Sequence, residues 1–325
     1  MDTFKSILYV IEEPELEPGT AAARAVSLAE NNQASLSVLH VADEPRIGPF
    51  TGKIKAEDVK DRVRSQATER IAALLASAGR VADVDIGVRF GVGFVEIIRE
   101  VLRNRHDLVI KSAGEGGVHS FLFGGTDQHL LRKCPCPVWI MVQNTRVKCH
   151  RILAAVDFDP WHESNGAFSV EDELNREIVG TAGSLAASDF AQLHVVHAWQ
   201  SITDNMIRIF SSDLPERDSA ANRDKERREH HARLDLLDSR LREQFGRDVY
   251  RYLSPRFHLR EGAAREVVPK LAKELEIDLV VMGTVSRTGI PGLLIGNTAE
   301  VILNNLECSV LAVKPSGFIT PVTLD

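Results

Sequence analysis

Short apolar runs, rich in β-branched residues, alternate along this chain with longer segments whose apolar positions recur every three or four residues. Residues 152–156 (ILAAV) read as a strand, 177–187 as a helix and 192–198 as a second strand. A long helix is expected over 223–245, where Leu234, Leu237, Leu241 and Phe245 fall at helical spacing; its counterpart over 57–75 places Val59, Val63, Ala67 and Ile71 in the same way. A strand at 256–260, a helix at 265–275, a strand at 279–282, a helix at 298–306 and a last strand at 309–313 follow. Strands that alternate with helices imply right-handed crossovers and a parallel sheet covered on both faces.

The pattern runs through the chain twice. ILYVIEE (7–13) returns as ILAAVDF (152–158), ASLSVLHVA (34–42) as AQLHVVHAW (191–199), HDLVIKSA (106–113) as IDLVVMGT (277–284), and GGTDQHLLRKCPCPVWIMV (124–142) as GNTAEVILNNLECSVLAV (296–313). The offset drifts from 145 (157 minus 12) through 157 (197 minus 40) to 172 (308 minus 136), which places insertions in the second copy. The polar stretch 143–150 (QNTRVKCH) marks the boundary. The expected fold is therefore α/β: two tandem doubly wound, five-stranded parallel-sheet domains of Rossmann-like type, over residues 1–145 and 150–317.

Composition narrows the function. A chain of 325 residues has room for two ordinary domains, and 44% hydrophobic with 26% charged residues is the balance of a soluble globular protein. The net charge of -7 argues against a general nucleic-acid binder, because a phosphate backbone attracts basic surfaces. The N-terminal segment lacks the basic and small-residue features of a signal peptide, and no apolar run is long enough to span a bilayer, so a cytoplasmic protein is expected. Four cysteines (Cys134, Cys136, Cys149 and Cys308) are too few for a disulfide framework and fit a reducing compartment.

In a doubly wound sheet the favoured ligand position is the crevice at the carboxyl ends of the strands, where the strand order reverses. The stretch 283–300, GTVSRTGIPGLLIGNTAE, lies directly after a strand there and ends at a helix start. Gly283 and Gly296 allow sharp turns and close approach of backbone to an anion. Asn297 and Thr298 add side-chain donors, Thr284 and Ser286 are further candidate binding residues of the stretch, and the helix dipole favours negative charge. A plain strand-to-helix turn reads equally well from spacing alone, since neither Gly-x-Gly-x-x-Gly nor the lysine-bearing phosphate loop is present.

The order of ILAAVDF, DLVVMGT and GNTAEVILNNLECSVLAVKP resembles the universal stress protein family, and the two-copy layout is similar to its tandem-domain E type. In the ATP-binding branch of that family the signature is Gly, two residues, Gly, nine residues, Gly, then Ser or Thr. Here Gly283 and Gly296 hold the outer positions (283 plus 13 is 296), Ser286 replaces the middle glycine and Asn297 the final Ser or Thr. The resemblance implies that Asp157 lies near base and ribose, with His197 to Trp199 on the base side, and that ATP or a related nucleotide is the cofactor of the second half. In the first half Ser112 and Glu115 replace the first two glycines, the spacing is one residue shorter (124 minus 112 is 12), and Glu12 replaces Asp157; that half is expected not to bind ATP. The resemblance further implies that strands 138–142 and 310–313 pair within one chain, joining the two domains, and that the protein forms a homodimer.

Other motifs read more plainly. The adjacent His230 and His231 suit a solvated helix face rather than a metal pair, and CPCP (134–137) lacks the two-residue gap of a zinc or redox motif, which leaves Cys136 as packing. His40 and His197 end matching strands; a hydrogen-bonded core histidine is the plainer account of each. The loops PRIGPFTGKIK and QSITDNMIRIFSSDLPERDSAAN, each after the second strand of a half, read as insertions. Three classes of function compete: a non-enzymatic stress-response protein with a nucleotide site, an interaction scaffold or apolar-ligand binder without nucleotide, and a nucleotide-processing enzyme. The third lacks the His-x-x-His and Ser-Gly-Gly-x-Asp-Ser motifs of such enzymes, and no residue takes a catalytic or metal-binding role.

Overall fold

The computed structural model describes residues 3–14, 17, 19–45, 55–79, 84–114, 125–142, 146–158, 170–201, 216–284 and 296–324. Ser286, Glu115 and most of both long loops lie outside them. The first half runs β1 (Ser6–Ile11), α1 (Gly19–Asn32), β2 (Ser35–Ala42), α2 (Ala56–Ser77), β3 (Asp85–Phe90), α3 (Gly93–Asn104), β4 (Leu108–Ser112), α4 (Gly125–Lys133) and β5 (Val138–Met141). The second runs β6 (Arg151–Val156), α5 (Val170–Asp189), β7 (Gln192–Trp199), α6 (Glu216–Leu253), β8 (Arg256–Glu261), α7 (Ala264–Glu274), β9 (Leu279–Gly283), α8 (Asn297–Asn305) and β10 (Ser309–Val313).

All ten strands join one sheet in the order β3-β2-β1-β4-β5-β10-β9-β6-β7-β8. Within each half the strands are parallel, and the order reverses between β1 and β4 and between β6 and β9. The two halves meet at β5 and β10, which pair antiparallel through Val310 with Ile140, Leu311 with Trp139 and Ala312 with Val138. Leu311 and Trp139 are themselves equivalent in the repeat, since 311 minus 139 is 172, the same offset as Cys308 to Cys136. The pseudo-twofold axis relating the halves therefore passes between these two residues, and the pairing implied by the family resemblance is present.

A strand covered on both faces needs apolar side chains at odd and even positions alike, which is why β5, β9 and β10 read as nearly continuous hydrophobic runs. One core lies under α1, α2, α5 and α6 and includes Tyr9, Trp139, Leu193 and Leu311. The other lies under α3, α4, α7 and α8 and includes Val10, Ile140, Val196 and Val310. Each core draws on both halves, so hydrophobic burial crosses the seam. On the first face a buried ion pair also crosses it: Arg24 of α1 meets Asp189 of α5 at 2.7 Å, with the guanidinium stacked 4.7 Å from the Trp139 ring.

The long helix of the second half extends further than its apolar spacing predicts. It comprises two helices merged across a kink at Gly246, whose φ of 72° is open to glycine at little cost. His230 also departs from expectation: it is buried on α6 and its Nδ1 lies 2.9 Å from His197 Nε2, whereas its neighbour His231 is exposed and paired with Asp235. Position 230 shares the inward face with Leu234, Leu237 and Leu241, which the adjacency of two histidines concealed.

Candidate functional site

The crevice of the second half lies between the ends of β6 and β9. Asp157 directly follows β6 with its side chain exposed, and its backbone is held from both sides by the buried Asn175 of α5. Asn175 accepts the Asp157 N–H at 3.1 Å and donates to the Asp157 carbonyl at 2.6 Å. No sequence motif pointed to Asn175; its only signal was a polar residue on an otherwise apolar helix face.

Gly283 ends β9. A Cβ there would sit 2.9 Å from Leu174 Cδ2, so the absence of a side chain lets α5 approach the strand closely. Thr284 follows, fully buried, and its hydroxyl donates to the Leu131 carbonyl of the first half at 3.0 Å. Lys314, just after β10, donates to the same carbonyl and to Thr284 Oγ1. Thr284 is thereby drawn to the seam between the halves.

Across the undescribed loop, Gly296 caps α8 with φ -63° and ψ 136°, and its N–H donates to the Thr284 carbonyl at 3.2 Å. That bond fixes the two ends of the loop against each other. Asn297 and Thr298 are exposed in the first turn of α8, where the leading backbone N–H groups of a helix have no helical partner. Asp157, Gly283, Gly296, Asn297 and Thr298 thus share one end of the sheet.

His197 is turned away from that end into the core. Its Nδ1 lies 3.3 Å from the Val156 carbonyl, its ring meets Phe158 edge-on at 4.8 Å, and Trp199 is likewise buried against His230. Since Nδ1 faces a carbonyl it carries the proton, and Nε2 accepts from His230. Burial, together with the nearby Arg233, lowers the His230 pKa. His40 repeats the arrangement in the first half, with Nδ1 2.9 Å from the Ile11 carbonyl.

The first-half crevice carries an internal network of ion pairs. Buried Lys111 at the end of β4 contacts Glu12 at 2.9 Å and the fully buried Asp127 of α4 at 2.7 Å, and donates to the Ser112 carbonyl at 2.8 Å. Burial alone would lower the Lys111 pKa; Asp127 and Glu12 outweigh it and hold the ammonium above an ordinary lysine. Asp127 also accepts the Gly114 N–H at 2.9 Å, so a carboxylate of the chain occupies the start of α4. Beside it Glu17 accepts from Tyr9 at 2.7 Å and from Ser112 at 2.5 Å; burial raises its pKa despite these bonds. In the repeat, Met282 answers Lys111 (282 minus 111 is 171) and Ala299 answers Asp127 (299 minus 127 is 172).

Fold and crevices together define a tandem, doubly wound α/β protein whose two strand-end crevices have diverged, one closed by ion pairs and one not built that way. The profile of the Universal stress protein family matches residues 3–142 and again 149–314. The chain is 32% identical over 323 residues to the Universal stress protein E homolog of Haemophilus influenzae, covering 96% of this chain and 98% of that one. It is 35% identical over 237 residues to Universal stress protein E of Escherichia coli K12, covering 71% and 68%. A putative universal stress protein from Pseudomonas aeruginosa superposes with a TM-score of 0.63 at 27% identity over 97% and 95% of the two chains. The chain belongs to the universal stress protein family, and that membership supports a role in the stress response. No helix among the described residues is long and apolar enough to cross a membrane.

Proposed function

We propose that this protein is a non-enzymatic, cytoplasmic stress-response protein that holds ATP, a related nucleotide or another phosphate-bearing ligand in the crevice of its second half. Its first half binds none. The observation that carries this reading is the exchange of Lys111 and Asp127 for Met282 and Ala299. In the first half an internal carboxylate, Asp127, stands in the first turn of α4 and is paired with Lys111. In the second half alanine stands at that position, and Glu300 in the first turn of α8 is drawn to Arg132 of the other half at 2.7 Å. The positive end of α8 is then suited to an external anion. On this reading Gly296, Asn297 and Thr298 meet phosphate, Gly283, Thr284 and Ser286 shape the loop, and Asp157 meets the ribose or base. His197 supports the wall from behind rather than touching ligand. By family analogy two such chains associate as a homodimer.

The test compares thermal midpoints of wild type and Gly296→Asp with and without millimolar ATP, ADP or AMP and Mg²⁺. The backbone at Gly296 suits any residue, and aspartate is a favoured helix cap, so the variant folds while placing a carboxylate at the anion position. A ligand at about a hundred times its dissociation constant adds roughly 2.7 kcal/mol to the native state. A shift in wild type that is lost in the variant is expected. Absence of any shift in wild type overturns the nucleotide site and favours a scaffold or apolar-ligand protein.

A further inference from the structure

At the seam between the halves, the segment leaving α4 brings two thiols together. Cys134 Sγ and Cys136 Sγ lie 3.6 Å apart, both buried, separated in sequence only by Pro135. A disulfide has a sulfur separation of about 2 Å, so a modest side-chain movement joins them. Beside them lies Lys314, itself buried, with its ammonium bound to the Leu131 carbonyl and Thr284 Oγ1. Among the described residues its hydrogen-bond partners include no carboxylate, and a buried ammonium of this kind is stabilised by a nearby negative group such as a thiolate. An open groove of 1400 Å³ runs over this point, with Pro135, Pro137 and Lys314 in its wall. The groove wall thus includes the two sequence neighbours of Cys136, with both sulfurs buried behind it.

We propose that Cys134 and Cys136 form a peroxide-oxidisable dithiol in which Lys314 assists, so that the seam between the two halves carries a redox-sensitive site. Burial pushes the Cys134 thiol up, but hydrogen bonds from the Cys136 thiol and backbone N–H, with the Lys314 ammonium, outweigh it and bring Cys134 below an ordinary thiol. Cys136 is pushed up in return by its bond to Cys134 and by burial. Burial pulls Lys314 down to about 8, which readies it to exchange a proton near neutral pH. The other two cysteines lack such help: burial pushes both Cys149 and Cys308 up to about 12. Reactivity follows the thiolate, so oxidation selects Cys134.

The chemistry balances with hydrogen peroxide as oxidant. The Cys134 thiolate, with Lys314 as the ammonium, attacks one peroxide oxygen. The O–O bond breaks, the leaving hydroxide takes a proton from the lysine to leave as water, and Cys134 becomes a sulfenic acid. The Cys136 sulfur then attacks Cys134; the S–S bond forms, the S–O bond breaks, and the hydroxyl leaves with the Cys136 proton as a second water. Two electrons pass from the dithiol to the peroxide.

The experiment treats the full chain with submillimolar hydrogen peroxide in the presence of a chelator, blocks remaining thiols under denaturing conditions, and maps each cysteine by mass spectrometry. The expected result is a Cys134–Cys136 disulfide with Cys149 and Cys308 still alkylated. Free Cys134 and Cys136 after treatment, or oxidation spread evenly over all four cysteines, overturns the proposal. In Cys136→Ala the reaction should stop at a Cys134 sulfenic acid that dimedone traps. Lys314→Met should slow disulfide formation several-fold; an unchanged rate removes the lysine from the site. The wild-type mapping decides the dithiol even if a variant does not fold.

Discussion

Lys111 Nζ lies 2.7 Å from Asp127 Oδ1 inside the first crevice, and the equivalent positions of the second half are Met282 and Ala299. Both members of the pair are buried, so removing Lys111 strands the Asp127 carboxylate in the interior. Lys111→Met alone is expected to cost about 3–5 kcal/mol, the usual penalty for stranding a buried charge. The double variant Lys111→Met, Asp127→Ala copies the second half and should recover more than half of that loss. Urea denaturation of Lys111→Met, Asp127→Ala and the double variant checks this; losses that simply add would show that the two residues do not depend on each other.

Asp189 serves both halves at once. One oxygen receives Arg24 at 2.7 Å and the other receives the Cys149 N–H at 2.9 Å. Asp189→Ala strands a buried guanidinium and a buried backbone donor and is expected to cost about 3–5 kcal/mol. Equilibrium denaturation measures it, and a loss below about 1 kcal/mol would mean that water reaches Arg24 readily.

Gly283 is required by packing. A methyl group at this position meets Leu174 Cδ2 at 2.9 Å, and Gly283→Ala is expected to cost about 1–3 kcal/mol as an overpacked site. Adding Leu174→Ala should make the two changes less than additive, as read from thermal midpoints. If Gly283→Ala leaves stability unchanged, the helix α5 yields more easily than its packing indicates.

His194 on β7 and His258 on β8 stack with Nδ1 and Nε2 3.0 Å apart. Burial, reinforced by His258, Arg256 and Arg151, lowers His194 to about 4, and burial also lowers His258. The unfolded chain binds a proton at His194 near pH 6.5. Stability is therefore fully present above about 6.5 and declines as pH falls toward 4, with at most about 1.36 kcal/mol lost per pH unit for this group. Denaturation midpoints between pH 7 and 4 should fall more steeply in wild type than in His194→Phe; equal slopes would assign the acid sensitivity to other groups.

The repeat itself was legible in the sequence, because burial on both faces of a parallel strand dictates uninterrupted apolar runs such as LVVM at 279–282 and VWIM at 138–141, and a helix packed on a sheet dictates apolar positions three and four apart. Those constraints are local, so they determined the strands and most helices and put Gly283 and Gly296 at a strand end and a helix start, whereas the place of Asp157 was implied by the family resemblance. The choice of partner for each buried polar group is not local. Lys111 and Asp127 belong to different elements; Thr284 meets a carbonyl from the other half; His230 finds His197 across 33 residues. Cys134 and Cys136 are neighbours in sequence, but Lys314 comes to them from the far end of the chain. Burial patterns determine which side chains turn inward, whereas only the packed tertiary structure, with its demand that each buried charge and donor be satisfied, decided which crevice closed on itself and which groups met at the seam.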